Sequence, residues 1–195
     1  MTQPSQSSDT LDVRISPVGL DGILGLPLPA EGIVLFAHGG GSGRFSPRNN
    51  YVAAALRRSG LATLLFDLLT EDEAADRRNA FDIELLADRL GMATTWARQE
   101  EDTKSLPIGY FGASTGAAAA LVAAARAPKD IGAIVSRGGR SDMAGPLLGH
   151  ATVSKRQRAQ AQLAFFYRAD LTPVSGMAAC VIDAKSSTMT GCGSK

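Results

Sequence analysis

The chain has 195 residues, of which 45% are hydrophobic, and its formal net charge is +1. A chain of this size forms one domain with a substantial core, and near-neutrality gives no reason to expect nucleic acid or an anionic membrane as a partner. No apolar run is long enough to cross a membrane. The only cysteines, Cys180 and Cys192, lack metal-ligand spacing, so we expect no metal, and so few cysteines favour the reducing cytoplasm.

The chain opens with a polar stretch and then short strands. Residues 1–10 lack the basic start and the apolar run of a signal peptide, so we expect a disordered leader. Residues 11–17 and 22–26 indicate a hairpin with its turn at 19–22. Residues 33–37 are continuously apolar, which is typical of a strand buried on both faces.

The next elements alternate between helix and strand. Ser46 can cap a helix, Pro47 suits its first turn and Gly60 lies just past its end. Residues 61–66 predict a second buried strand. The charged stretch 71–78 indicates either a solvated loop or a helix start.

A longer helix is predicted over residues 81–98, because its apolar residues recur on one face, which we interpret as core packing. The members of this stripe are Phe81, Leu85, Leu86, Leu90, Ala93 and Trp96. A strand over 106–111, a helix over 117–127 and a strand over 131–135 follow. Such alternation predicts an α/β fold with a mostly parallel central sheet and helices on both faces.

The junction between the last predicted strand–helix pair carries the sequence Gly-Ala-Ser-Thr-Gly, with Ser114 at its centre. A G-x-S-x-G sequence between a strand and a helix is the nucleophile elbow of serine hydrolases. Side chains at Gly112 and Gly116 would collide with the neighbouring strand and helix, so the turn requires glycine there. We therefore expect Ser114 to be a catalytic nucleophile at the end of a central strand.

A glycine-rich loop, His-Gly-Gly-Gly-Ser-Gly at 38–43, follows the strand at 33–37. A loop of this type supplies one backbone N–H of an oxyanion hole, and the residue after the nucleophile supplies the other. We assign these donors to Gly40 and Thr115. A phosphate-binding loop is disfavoured because it carries Lys-Ser/Thr after its last glycine, whereas Arg44 follows here.

Four motifs, in this order, resemble the dienelactone hydrolase-like branch of the α/β-hydrolases: HGGGSG at 38–43, LLFDLLT at 64–70, IGYFGASTG at 108–116 and SRGGR at 136–140. The resemblance spans about residues 11–149. It implies an α/β-hydrolase fold, a serine nucleophile, and hydrolysis of a small-molecule ester or lactone with no cofactor. Some members of this branch are fused to a phosphoribosyltransferase domain, and the hydrolase part can then carry the transferase name. This sequence lacks a diacidic phosphoribosyl-pyrophosphate loop, so we do not expect a transferase activity.

The resemblance stops near Gly149, after which the composition changes. The family continues with a strand that bears the triad acid and a later loop that bears the histidine, and residues 151–195 are too few for these elements and a final helix. We expect a hydrolase core at 11–149 and an atypical segment at 150–195, with C-terminal strands missing or altered, consistent with a frameshift or a deletion. An exposed sheet edge would favour a homo-oligomer.

Candidates for the remaining triad members are few, since the chain has two histidines. His150 alone follows Ser114 and could complete the order serine, acid, histidine with Asp142; otherwise it is an exposed loop residue. We expect His38 to brace the glycine loop by hydrogen bonding. Asp183 ends the apolar run 177–182, which could be a replacement strand.

Three further polar residues have simpler interpretations. Asp67 is expected to cap the end of its strand. Arg137 and Arg140 are expected to anchor a loop, although either could meet an acidic substrate.

Two functions from different classes remain. The first is a serine esterase or lactonase impaired by an incomplete triad, and the second is a catalytically silent hydrolase-like domain with a binding or assembly role.

Overall fold

The computed structural model describes residues 10–140 and 143–144, and the backbone of 179–183. The strands are Thr10–Ile15 (β1), Leu20–Gly25 (β2), Gly32–Ala37 (β3), Leu61–Phe66 (β4), Ile108–Ala113 (β5), Ile131–Arg137 (β6) and Ala179–Asp183 (β7). The helices are Pro47–Arg58 (α1), Glu71–Ala75 (α2), Ile83–Gln99 (α3) and Thr115–Arg126 (α4), with a 3-10 turn at Asn79–Phe81.

The strands form one mixed sheet in the order β1-β2-β4-β3-β5-β6-β7. The four strands from β3 to β6 are parallel to one another, while β1 and β2 form an antiparallel hairpin at one edge. At the other edge β7 pairs antiparallel with β6, with Val135 opposite Val181. The α/β architecture is therefore confirmed, and β7 is the replacement strand that the run at 177–182 suggested.

Alternate residues of β3 face opposite layers, as the two-residue period of a strand requires. Ile33 and Leu35 pack in a large cluster with residues of α3 and α4, whereas Phe36 packs with Ala53 and Leu56 of α1. The sheet is thus covered by helices on both faces, and this explains why its central strands are predominantly apolar.

Local capping residues set where the helices begin. Ser46 caps α1 and Pro47 is its first residue, as predicted. Thr70 and Glu73 form a capping box at α2, so the charged stretch at 71–78 includes one helical turn. Asp82 caps α3 by accepting a hydrogen bond from the Leu85 N–H at 3.0 Å.

Two predicted details were wrong. The hairpin turn lies at residues 16–19, with Gly19 at φ +80°, because Leu20 already pairs with Ile15 in the ladder. The helix predicted from Phe81 begins at Ile83. Asp82, just before it, has an extended backbone conformation and caps the helix with its side chain. Phe81 therefore lies outside the apolar stripe and is 60% exposed.

A buried polar contact ties α3 to β5. The hydroxyl oxygens of Thr94 and Tyr110 are 2.6 Å apart, and both side chains are buried. Burial raises the pKa of Tyr110 to about 12, because the core disfavours the phenolate.

The expected segment boundaries fall largely outside the described residues. The predicted leader, 1–10, overlaps β1 only at Thr10, and the predicted C-terminal segment contributes only β7 to the description. Within the described ranges, no helix combines the length and apolar character needed to cross a bilayer.

Candidate active site

Ser114 occupies the sharp junction between β5 and α4. It follows the last residue of β5 and directly precedes Thr115, the first residue of α4. Its φ of +52° is the only positive φ among the described non-glycine residues. Such a conformation costs about 1–3 kcal/mol and persists only where the surroundings impose it. The side chain is exposed and does not cap α4, so its hydroxyl remains accessible at the carboxyl end of the parallel strands.

The two glycines of the elbow are required by space. A Cβ at Gly112 would lie 2.5 Å from the Cα of Ala117 in the first turn of α4. A Cβ at Gly116 would lie 2.5 Å from the carbonyl carbon of Ala37, and it would also overlap the His38 carbonyl oxygen. Both predicted collisions are therefore present, the first with the helix and the second with the end of β3.

The glycine loop after β3 lies against this elbow. Parallel pairing of β3 with β5 places Ala37 opposite Gly112, so both chains leave the sheet at the same edge. A Cβ at Gly39 would come within 2.9 Å of the Ser114 Cβ and 3.6 Å of its Oγ. Glycine at position 39 thus permits the close approach of the loop to the serine.

His38 uses both of its ring nitrogens to hold the loop. Its Nε2 accepts a hydrogen bond from the Leu68 N–H at 3.1 Å, so the proton of the neutral ring is on Nδ1, which donates to the Gly39 carbonyl at 3.0 Å. Burial lowers the pKa of His38 below its ordinary value of 6.5, which favours this neutral form. The predicted bracing role is confirmed, and the ring has no free nitrogen to accept a proton from Ser114.

Asp67, at the end of β4, holds the distal part of the loop. Its carboxylate accepts the Arg44 N–H at 2.8 Å and also pairs with the Arg44 guanidinium. A Cβ at Gly43 would lie 2.6 Å from Asp67 Oδ1. Asp67 does more than the predicted strand cap, because it bonds a residue 23 positions away.

The two assigned oxyanion donors, Gly40 and Thr115, lie next to each other. The Gly40 N–H donates to the Thr115 hydroxyl oxygen at 3.2 Å, and Thr115 is 2% exposed. The Thr115 N–H belongs to the first residue of α4, where no intrahelical acceptor exists. In the described part of the chain the Gly40 N–H is already engaged, and an oxyanion bound here would have to share or displace that bond.

The proposed acid and base, Asp142 and His150, lie outside the described residues. The loop after β6 does reach the elbow, since the Arg140 N–H donates to the Ser114 carbonyl at 3.1 Å. Arg137 turns toward α1, where it donates to Asn49 Oδ1 at 3.4 Å and lies 6.0 Å from the Phe111 ring centroid. The side-chain contacts of Arg137 agree with its predicted anchoring role, whereas the bond at Arg140 is made by the backbone, so the role of the Arg140 side chain stays a prediction.

A cleft of about 960 Å³ adjoins the glycine loop on the side of β4 and α2. Its wall includes Gly39, which lies against Ser114, whereas Ser114 itself is not one of the lining residues. Two exposed aromatic residues, Phe45 and Phe81, also line it. Phe45 was not among the site residues predicted from the sequence, although a large apolar residue between Arg44 and the helix-capping Ser46 was an available signal.

Solved structures of other proteins resemble this chain. No family profile matches the chain. A crystal structure of dienelactone hydrolase from Anabaena variabilis is similar, with 51% sequence identity, a TM-score of 0.68, and coverage of 74% of this chain and 71% of that chain.

Two more distant structures share the fold. Est1E from Butyrivibrio proteoclasticus is 18% identical with a TM-score of 0.53, covering 65% of this chain and 49% of its own. A carboxyl esterase from Bacillus coagulans is 20% identical with a TM-score of 0.52, covering 72% of this chain and 49% of its own.

Two curated proteins of Mycobacterium tuberculosis, from strains CDC 1551 and H37Rv, carry the provisional name phosphoribosyl transferase. Each is 56% identical over 146 residues, which is 75% of this chain. The chain spans only 33% of the length of these relatives. By its identity with the Anabaena enzyme over most of both chains, and by its sheet order and helix layers, the chain belongs to the dienelactone hydrolase family of α/β-hydrolases.

Proposed function

We propose that the chain hydrolyses a small-molecule carboxylic ester or lactone with Ser114 as the nucleophile. The observation that carries this proposal is the strained, exposed Ser114 at the strand–helix junction, held against a glycine loop. Residues are kept at a positive φ when the surrounding structure over-determines them, and such strain concentrates at active sites. A merely structural serine would not need this conformation.

In the proposed reaction, the Ser114 oxygen attacks the ester carbonyl and its proton passes to a base. The Gly40 and Thr115 N–H groups donate to the oxyanion of the tetrahedral intermediate. The intermediate collapses as the base returns its proton to the leaving oxygen, which departs as an alcohol. Water then cleaves the acyl-enzyme. Each such donor is typically worth about 3 kcal/mol in the transition state.

The base is the weak part of the site. His38 is committed to Leu68 and Gly39, so His150, the second of the two histidines, is the one imidazole left for the role. Asp142 would orient it. A well-placed base contributes about 10²- to 10⁴-fold. Because the chain departs from the family after Gly149, we propose that this base is misplaced and that turnover falls short of an intact relative by a factor in this range.

Hydrolysis of p-nitrophenyl acetate by the wild-type chain and by Ser114→Ala tests the proposal. We expect slow turnover that disappears in Ser114→Ala. His150→Ala then assigns the base, because loss of activity together with loss of a pH-dependent rise near about pH 6.5 identifies a working imidazole. Turnover that persists in Ser114→Ala would refute the proposal.

A second candidate function is a catalytically silent hydrolase-like domain with a binding or assembly role. It is favoured by His38, the imidazole of the described part of the chain, having both nitrogens engaged. This alternative predicts equal rates for wild type and Ser114→Ala.

The transferase name of the Mycobacterium relatives is not extended to this chain. The matched 146 residues are a third of those proteins, and the sequence has no diacidic phosphoribosyl-pyrophosphate loop. Its acidic run after β4, Glu71 to Glu73, forms the first turn of α2, where Glu73 closes a capping box with Thr70.

A further inference from the structure

The cleft beside the glycine loop has two aromatic side chains on its wall that solvent reaches freely. Phe45 is 69% exposed and Phe81 is 60% exposed. Single exposed apolar residues are common, but these two come from different elements and line the same 960 Å³ cleft. A cleft of this size is ample for a small molecule.

Phe45 is held in its exposed position by a chain of charged contacts. The Arg44 guanidinium carbon lies 4.4 Å from the Phe45 ring centroid. Arg44 is in turn paired with Asp67, and it lies 3.5 Å from Asp21 on the hairpin. The cation–π contact covers the ring on the Arg44 side, and the high exposure of the residue leaves the rest of the ring open.

Helix packing does not explain the position of Phe45. It precedes the Ser46 cap of α1, a position at which an apolar residue can staple the helix by contacting the fourth helical residue. That fourth residue is Asn50, whose side-chain amide donates to backbone carbonyls instead. The stapling role is therefore absent, and the exposed ring is free to contact a ligand.

Phe81 has a partial structural role. It precedes the Asp82 cap of α3 and stands at staple spacing from the buried Leu86, which also lines the cleft. Packing of that kind would cover only one side of the ring. The adjacent Ala80 lies against the glycine loop, because a Cβ at Gly40 would come within 3.1 Å of the Ala80 Cβ.

The charges of the cleft nearly balance. Three arginines and four carboxylates line it, namely Arg14, Arg44, Arg77, Asp21, Asp67, Glu71 and Asp72. Arg44 and Arg14 are already near acidic partners. The cleft therefore carries no large net charge that would select an anionic or a cationic substituent.

We propose that this cleft is a subsite for a neutral aryl group on the ester substrate, with Phe45 and Phe81 as the residues that determine the preference. This proposal rests on the proposed hydrolase function, because the aryl group belongs to the ester substrate. Binding of an aryl ligand tests the subsite independently of hydrolysis. Aromatic pairs gain about 0.5–1.5 kcal/mol beyond the area that they bury. An aryl ester should therefore be preferred over a short alkyl ester.

Binding is measured first, with 3-phenylpropanamide, which cannot be hydrolysed as an ester, titrated into isotope-labelled Ser114→Ala protein and followed by NMR. We expect shifts at the amides of Gly39–Gly41 and near Ala80, and affinity at least about fivefold weaker when Phe45→Ala or Phe81→Ala is added. Tyr51→Ala is the matched control, because Tyr51 is an exposed aromatic residue (62%) outside the cleft wall. Phe81→Leu keeps an apolar staple and separates ring loss from helix destabilisation.

Hydrolysis is measured second, as the ratio of kcat/KM for methyl 3-phenylpropionate to that for methyl butyrate. We expect the wild-type ratio to exceed one, and to fall about fivefold or more in each phenylalanine variant but not in Tyr51→Ala. Amide shifts away from the cleft, or equal affinity in all variants, would overturn the subsite. Binding as expected without Ser114-dependent hydrolysis would overturn the catalytic proposal and leave the subsite standing.

Discussion

Replacement of Gly116 by alanine tests whether the elbow is packed as the structure indicates. The added Cβ would lie 2.5 Å from the Ala37 carbonyl carbon, and the carbonyl oxygens of Ala37 and His38 would be closer still. Ordinary contact between carbons is about 3.5–4.0 Å, so the end of β3 and the start of α4 would have to separate by about 1 Å. All of these neighbours are backbone atoms, which cannot rotate out of the way as a side chain can.

Overpacking of a core typically costs about 1–3 kcal/mol, and sometimes more. Since backbone must move in a strand at the centre of the sheet, we expect about 3 kcal/mol for Gly116→Ala. For a chain of this size, each kcal/mol lost from the free energy of unfolding lowers the melting temperature by about 2–4 °C. The variant should therefore melt about 6–12 °C below wild type.

Gly91→Ala provides the matched control. Gly91 lies inside α3 and has no positive φ, and among the described residues no atom beyond its own stretch of helix lies within 4 Å of its Cβ position. Alanine is about 1 kcal/mol better than glycine in a helix interior, so this variant should melt about 2–4 °C above wild type.

The assay is thermal unfolding of the three proteins, followed by circular dichroism in one buffer. Opposite signs for the two glycine-to-alanine changes are the expected result. A melting temperature of Gly116→Ala within about 1 °C of wild type would refute the packing of α4 against β3, and with it the close approach of the glycine loop to Ser114.

Two further predictions concern pH. Burial raises the pKa of Tyr110 to about 12, while an unfolded tyrosine ionises near 10, so between these values the folded state keeps a proton that the unfolded state loses. The free energy of unfolding should therefore fall as pH rises from about 10 to 12. Denaturant titrations of Tyr110→Phe should show a shallower fall. Burial lowers the pKa of His38, so below about pH 6.5 the unfolded state binds a proton that the folded state resists, and stability should decline as pH falls below that value. The same titrations in His38→Gln should show a weaker decline, and an unchanged slope would contradict a buried, neutral His38.

Local chain chemistry explains which features of the fold could be predicted from the sequence. Glycines at 112 and 116 indicate that no side chain fits on either side of the Ser114 turn. The elbow and its position on a central strand were therefore predictable. The Ser46–Pro47 start of α1 is equally local. The start of α3 was misplaced because the apolar period continues through Phe81, although the Asp82 cap was an available signal that competed with it.

Contacts between distant residues were not predictable in detail. The bond from the Gly40 N–H to the Thr115 hydroxyl joins positions 75 residues apart and depends on the register of β3 against β5. The Arg44–Asp67 pair likewise depends on β3 and β4 being neighbours. The cleft arises from loops that follow different strands, and no local pattern determines how such loops face each other.

The central claim, that Ser114 is an activated nucleophile, is tested most directly by labelling with a fluorophosphonate, which forms a covalent adduct at an activated serine. Intact-protein mass spectrometry followed by peptide mapping would locate the adduct. We expect one adduct per chain, on Ser114, and none in Ser114→Ala. The proposal of an impaired base predicts that the adduct accumulates more slowly than in an intact relative. Absence of any adduct in the wild type under conditions that label an established serine hydrolase, or an adduct that persists in Ser114→Ala, would contradict the claim.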